Sequence, residues 1–130
     1  MIVVDASAIL EVLLSTPDSA RVAERLFRAG ETLHAPHLLD IEVAQVLRRY
    51  ARAGELDSAR GLEALEDLID LPLTRYPHNL LLPRMWELRQ NLTAYDAAYV
   101  ALAEGLEAPL VTLDSALASV REHHARVELL

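Results

Sequence analysis

The sequence predicts an α/β protein, a three-layer α/β/α sandwich around a small parallel sheet of four or five strands. Two observations carry that prediction. Short apolar runs of strand length alternate with longer segments of helical periodicity along the whole chain, the order that a parallel sheet imposes. Two of the runs, Ile2-Val3-Val4 and Leu110-Val111-Thr112-Leu113, are continuous rather than alternating, which suits strands buried on both faces, and each stops at a carboxylate, Asp5 or Asp114. At 52% hydrophobic and 25% charged, residues 1–130 make a single globular domain able to bury a sizeable core.

Taken in order, Ile2–Val4 is the first strand, and Ala6 to Leu14 has helical character with Asp5 and Ser7 at its mouth. Thr16-Pro17-Asp18 is a turn and helix start, after which Val22, Ala23, Leu26 and Phe27 recur at helical spacing up to Gly30. Arg21, Arg25 and Arg28 fall on its wet side. Thr32–Ala35 is a short strand ending at Pro36. From His37 a helix carries Leu38, Ile41, Val43, Ala44, Val46 and Leu47 as far as Gly54, with Glu42 in its first two turns. Leu56–Leu71 is an amphipathic helix entered through Asp57-Ser58, with Leu62, Leu65, Leu68 and Ile69 as its apolar stripe. The prolines at 72 and 77 bracket a strand, and a helix follows from Asn79 through Leu82, Met85, Trp86 and Leu88 to Arg89. Thr93-Ala94-Tyr95-Asp96 has capping-box spacing and opens the alanine-rich helix Ala94–Glu104, closed at Gly105. After the strand that ends at Asp114, a helix from Ser115 to about His123 and a strand at Arg126–Leu129 finish the chain.

Composition removes several classes of function. There is no Cys, hence no disulfide framework and no thiolate metal site, in keeping with a reducing compartment. No basic leader or membrane-length apolar run is present, so the expectation is a soluble cytoplasmic protein with no membrane partner. All twelve basic residues are Arg, which excludes any mechanism that needs a lysine. Gly30, Gly54, Gly61 and Gly105 are isolated, so neither a P-loop nor a dinucleotide fingerprint can be built. The net charge of −8 argues against a nucleic-acid partner unless a cation sits at the acids.

Asp5 and Asp114 end strands and in a parallel sheet stand at the same rim. Glu42 and Asp96 lie in the first turns of helices that follow loops, and such turns often face that rim. Each acid has a structural reading too. Asp114 suits an N-cap, Asp96 completes a capping box with Thr93, and Asp5 and Glu42 suit the positive end of a helix. Four converging carboxylates repel one another unless a cation neutralises them. With oxygen donors alone, the ion that fits is hard, Mg²⁺ or Mn²⁺, and such ions activate water and offset charge at a phosphodiester.

These motifs resemble those of a known family. Val3-Val4-Asp5-Ala6-Ser7-Ala8, Asp40-Ile41-Glu42-Val43-Ala44-Gln45-Val46-Leu47-Arg48, Leu92 to Ala103 around Asp96, and Leu110-Val111-Thr112-Leu113-Asp114 are similar, in order and spacing, to the motifs of PIN-domain ribonucleases. The likeness is closest to the VapC toxins of toxin–antitoxin pairs and runs from Met1 to about Leu117. The resemblance implies a metal-dependent endoribonuclease with Asp5, Glu42, Asp96 and Asp114 as its acidic Mg²⁺ or Mn²⁺ site, Asp5 and Asp96 foremost. Ser7 and Thr112 would hold the carboxylates in place through their hydroxyls. It further implies a tRNA or ribosomal RNA loop as substrate, a cognate antitoxin as partner and a homodimer. Gln45 departs from the family, which often has Asn there. The antitoxin groove and dimer contact are sought among the apolar residues of Leu56–Ile69.

Arg48, Arg49 and Arg52 follow Glu42 along one helix, and Arg84 and Arg89 precede Asp96, so both sets are candidates for RNA phosphates. Solvated helix faces are the commoner setting for such arginines. His34, His37, His78, His123 and His124 show no zinc spacing. Met85 and Trp86 read as core rather than base-stacking groups. Receiver-type phosphoacceptor modules and haloacid-dehalogenase-type phosphatases share the strand-to-aspartate opening, but both need a lysine, and the latter a second aspartate where Ser7 stands. A non-catalytic RNA- or antitoxin-binding module of the same fold is the remaining alternative.

Overall fold

A computed structural model describes residues 1–130. The chain opens with β1 (Ile2–Val4), α1 (Ala6–Leu13), α2 (Ser19–Leu26), β2 (Leu33–Pro36), α3 (Leu38–Arg52) and α4 (Ser58–Asp70). It continues through β3 (Leu73–Tyr76), a 3-10 turn at His78–Leu80, α5 (Leu82–Glu87), α6 (Ala94–Leu106), β4 (Leu110–Thr112), α7 (Ser115–Ser119) and β5 (Val127–Leu129). All strand pairs are parallel, in the order β3-β2-β1-β4-β5. The chain therefore winds from β1 to one side of the sheet and returns to lay β4 and β5 on the other. The direction of winding reverses between β1 and β4, where Val3 pairs with Leu110 and Val4 with Val111. In open α/β sheets, the crevice beyond the carboxyl ends of the strands at this reversal is where ligands bind.

The unalternating sequences of β1, β2 and β4 are explained by burial of every residue in them. α1 packs on α2, α3 and α4, while α5 packs on α6, which lies along β1, β2 and β4. The result is the expected sandwich, with one contiguous core running through β1, β2, β4 and α6. In α6, every residue from Ala97 to Ala103 is buried, and its alanines let the helix sit close to the sheet. No helix is long and apolar enough to cross a membrane.

Several boundaries and faces differ from the sequence reading, each for a physical reason. The helix expected from Asn79 to Arg89 is broken because Pro83 offers no N–H and its ring would meet the carbonyl of residue 79; the chain makes a 3-10 turn first and begins α5 at Leu82. α6 runs through Gly105, and its left-handed closing residue is Glu107 at φ 53°. Bonds from Glu107 N–H to the Glu104 carbonyl and from Ala108 N–H to the Ala103 carbonyl seal the end. α7 stops at Ser119 because Val120 turns extended, which carries the chain back to β5. Gly54, at φ 76°, does stand just past α3, where only glycine is at ease.

The apolar stripe of α4 is Gly61, Ala64 and Leu68, leaving Leu62 and Ile69 exposed at 58% and 73%. Ile41 on α3 and Phe27 beyond α2 are likewise exposed. Arg25 is not on a wet face; it lies between Glu31 and Glu128, with Nε donating to Glu128 Oε1 at 2.6 Å and NH1 to Glu31 Oε2 at 3.0 Å. Trp86 is not core but 68% exposed, with the Arg89 guanidinium 4.4 Å above its ring, whereas Met85 does pack against the core.

Candidate active site

The crevice at the β1–β4 reversal is built outward from Asp5. The residue follows the last position of β1 and caps α1, so its carboxylate faces both the α1 N-terminus and the end of β4. Oδ1 accepts from Ser7 Oγ at 2.6 Å and from the Ala8 N–H at 3.2 Å, while Oδ2 accepts from Thr112 Oγ1. Ser7 Oγ accepts in turn from the Leu113 N–H, and Thr112 Oγ1 from the Asp114 N–H, both at 2.9 Å. Two hydroxyls thus tie the loop after β4 to the loop after β1. Asp5 is only 7% exposed. Burial pushes its carboxyl above the usual carboxylate range, against the pull of these hydrogen bonds, and Asp114 adds to the upward push.

Asp114 stands at the mouth of α7 and is both things its sequence position allowed. Oδ1 caps the helix by accepting from the Ala116 N–H at 2.9 Å and the Leu117 N–H at 3.3 Å. The residue is exposed at the rim, and Oδ2 takes no part in the cap.

Glu42 projects from the second turn of α3, and its Oε1 accepts from the Tyr99 hydroxyl at 2.5 Å. Burial raises its carboxyl, the Tyr99 bond opposes that, and Asp5 and Asp96 push it up further. Tyr99 itself, 2% exposed on α6, has its phenol held well above the ordinary range by burial and by Glu42. Asp96 precedes it by one helical turn. Its backbone N–H donates to Thr93 Oγ1 at 3.2 Å, which is half of a capping box; no protein donor reaches its carboxylate. Burial, Asp114 and Asp5, in that order, raise its carboxyl.

The four acids therefore share one rim and act on one another electrostatically. None of them belongs to any of the protein's ion pairs. No three acids, histidines or cysteines lie close enough together to hold an ion between them as they stand. The donor chemistry nonetheless fits a hard divalent cation: carboxylate oxygens only, no competing cation of the protein, and one carboxylate, Asp96, with no partner to release.

The candidate RNA-facing arginines separate into two kinds. Arg48 and Arg49 are exposed on α3 and form no ion pair. Arg84 is engaged on all sides, with Nε and NH2 donating to Glu104 at 2.7 and 3.1 Å and NH1 to Glu87 at 2.8 Å. Arg89 lies over Trp86 and donates to its carbonyl at 2.8 Å. Among the histidines, His34 bonds Thr32 and Tyr76, and His78 accepts from the Leu38 N–H, both structural tasks. Tyr99 was missed in the sequence, although a signal was there: it is the one polar-tipped residue in the buried Ala97–Ala103 run, three positions after Asp96 and so on its face.

Comparison with known proteins bears on the whole chain. The family model of the PIN domain matches residues 2–123. Ribonuclease VapC12 of Mycobacterium tuberculosis is 43% identical over 129 residues, covering 99% of this chain and 98% of its own. Ribonuclease VapC9 of the same species is 50% identical over 114 residues, 88% of this chain and 86% of its own. Among solved structures, PAE2754 from Pyrobaculum aerophilum superposes with a TM-score of 0.70 at 25% identity, covering 97% of this chain and 81% of its own. VapC20 of M. tuberculosis, described as a toxin that cleaves the sarcin–ricin loop, gives 0.70 at 13% identity over 92% of this chain and 94% of its own. VapBC2 of Rickettsia felis, solved on a DNA fragment from its promoter, gives 0.67 at 14% identity over 99% and 98%.

Proposed function

Because this chain belongs to the PIN-domain family, we propose that it is a metal-dependent endoribonuclease, the toxin of a toxin–antitoxin pair. The observation that carries the reading is the set of four carboxylates at the sheet's reversal point, coupled to one another and neutralised by no cation of the protein. Asp5, Glu42, Asp96 and Asp114 would hold Mg²⁺ or Mn²⁺. The bound ion would supply a lowered pKa for the attacking water and an offset for the charge that builds on the phosphodiester.

The protein's own residues set the geometry of that chemistry. Ser7 and Thr112 fix both oxygens of Asp5, so one acid is held rigid while the others are placed around it. Tyr99 fixes Glu42 in the same way from α6. By resemblance to the family, in-line attack of water with loss of the 3′-oxygen would leave a 5′-phosphate and a 3′-hydroxyl. The substrate would be a single-stranded or looped segment, because a small protein cannot read base edges in an A-form duplex, and the family resemblance suggests a tRNA or ribosomal RNA loop. Arg48 and Arg49, exposed and unpaired on the helix that carries Glu42, are the candidates to meet its phosphates.

A cognate antitoxin belongs to the same reading, supported by the likeness to VapBC2, and a two-fold homodimer belongs to it through the family resemblance alone. Two exposed apolar surfaces are available for those contacts, Leu62 and Ile69 on α4, and Leu80, Leu82 and Trp86 around α5. The deciding experiment is cleavage of total cellular RNA by the purified chain with Mg²⁺ or Mn²⁺, with chelator, and beside Asp96→Asn. Discrete, metal-dependent fragments absent from the variant are expected. Identical behaviour of wild type and variant across metals would refute catalysis and leave a binding module.

A further inference from the structure

Of the molecule's principal cavities, one opens onto the acids. It lies between α1 and α3 beside the start of α6, measures about 510 Å³, and includes Ser7 and Glu42 in its wall. None of the other principal cavities is lined by any of the four acids or by Ser7 or Thr112. Its volume falls within the range of about 300–1,000 Å³ typical of small-molecule sites. Leu10, Leu38, Ile41 and Val46 make most of its surface apolar, and Gln45 and Tyr95 supply an amide and an aromatic ring.

We infer that this cavity seats a nucleobase flanking the scissile phosphate, with Tyr95 as its stacking face and Gln45 as the group that reads its edge. The inference rests on the ribonuclease reading above and adds to it the residues that position and select the substrate. Charge excludes a phosphate as occupant: no arginine lines the cavity, and its one charged group, Glu42, is an acid. A flat, neutral ring fits instead. Tyr95 is 61% exposed and shares the cavity wall with Glu42 and with Ser7, whose hydroxyl bonds Asp5, so a base resting on it lies beside the acids. Single-stranded RNA is recognised in this manner, by splayed bases stacked on aromatic side chains and hydrogen-bonded along their edges. The Gln45 amide offers two donors and an acceptor, enough to favour one base edge over another. Its extra methylene relative to Asn lengthens the reach into the cavity from α3.

The test compares wild type with Tyr95→Ala, Tyr95→Phe and Gln45→Ala. Base frequencies around the cuts are read by end-sequencing total cellular RNA, and KM is measured on an oligonucleotide bearing the preferred site, with and without the flanking base. Both side chains are on the surface, so melting temperatures should match wild type. Tyr95→Ala should raise KM about tenfold or more, from the usual strength of base–aromatic stacking, and Tyr95→Phe should restore it. On the abasic oligonucleotide, wild type and Tyr95→Ala should have the same KM. Gln45→Ala should flatten the base preference at one position beside the cut. Variants that cleave with wild-type KM and wild-type preference would overturn the seat and assign the cavity to a protein partner. Wild type that cleaves no better than Asp96→Asn is a separate outcome, which overturns the ribonuclease reading and the seat with it.

Discussion

Tyr99→Phe removes the support given to Glu42, together with the phenol's contact with the Ala6 N–H, and leaves the other acids' contacts in place. The phenol is buried and fills its place in α6 with an aromatic ring, so phenylalanine leaves no cavity and removes only the hydroxyl that donates to Glu42 at 2.5 Å. A hydrogen bond to a charged acceptor contributes about 1.5–3 kcal/mol, and Glu42 is only half-buried, which places this one near the lower figure. About 1.4 kcal/mol is tenfold in an equilibrium constant, and residues that orient metal ligands usually account for about 10–100-fold in affinity. The expected result is a Mn²⁺ dissociation constant about tenfold higher than wild type by calorimetric titration, with cleavage largely recovered at saturating metal. A dissociation constant within about twofold of wild type would refute the claim that Tyr99 holds Glu42 for a cation.

Asp96→Asn should abolish RNA cleavage while shifting unfolding free energy by less than about 1 kcal/mol, because no protein donor depends on that carboxylate and its neighbours repel it; cleavage assays and urea unfolding check the two halves. Mg²⁺ at about 100 times its dissociation constant should stabilise the fold by about 2.7 kcal/mol, a rise of several degrees in melting temperature that chelator removes and Asp96→Asn blunts. Glu128 on β5 is held below the usual carboxylate range chiefly by its hydrogen bond from Arg25. A lowered folded-state pKa means stability present above the ordinary glutamate value and lost as pH falls through the folded value. The stability gap between wild type and Glu128→Gln should therefore be full at neutral pH and close progressively in acid, measured by denaturant unfolding across that range.

The parts of the fold that were legible in the sequence are those where a local pattern and the tertiary environment demand the same thing. β1 and β4 read correctly because burial on both faces leaves an unbroken apolar run, and the carboxylate that ends each run marks the sheet's rim. Ser7 and Thr112 were legible for the same reason, since their places relative to those acids are fixed by the strand ends. Helix faces were less legible. Leu65 and Leu68 pack on the core as their spacing suggests, but Leu62 and Ile69 do not, and α4 buries Gly61 and Ala64 in their place, because small residues let it lie close to its neighbours. Spacing alone does not say which of two adjacent apolar stripes faces inward. Arg25 was put on a wet face, and the engagement of Arg84 was not seen, because each half-buried ion pair has its partner distant in sequence: Glu128 for one, Glu104 for the other. Tyr99 escaped notice because its task depends on α3 and α6 meeting across the site, which no window of sequence contains.

The four acids were legible as a set, but not in their differences, and the differences carry a mechanistic consequence. Asp5 has both oxygens bonded by the protein, Asp114 and Glu42 each have one, and Asp96 has none. Capping and metal binding are therefore not rival explanations of these residues. Capping consumes one oxygen of Asp114 and leaves the other, and for Asp96 it consumes only the backbone N–H. The ordering also accounts for how the rim tolerates four carboxylates: the acid held most firmly, Asp5, is the most buried, Asp114 is exposed to solvent, and the half-buried Asp96 has no bond that holds its carboxylate toward its neighbours. A cation, if bound, would favour the opposite arrangement, since the Asp96 carboxylate would gain a partner and break no hydrogen bond in doing so. Asp5 would be the fixed ligand of such an ion and Asp96 the adjustable one, so substitution of the first should disturb both fold and site, and substitution of the second the site alone.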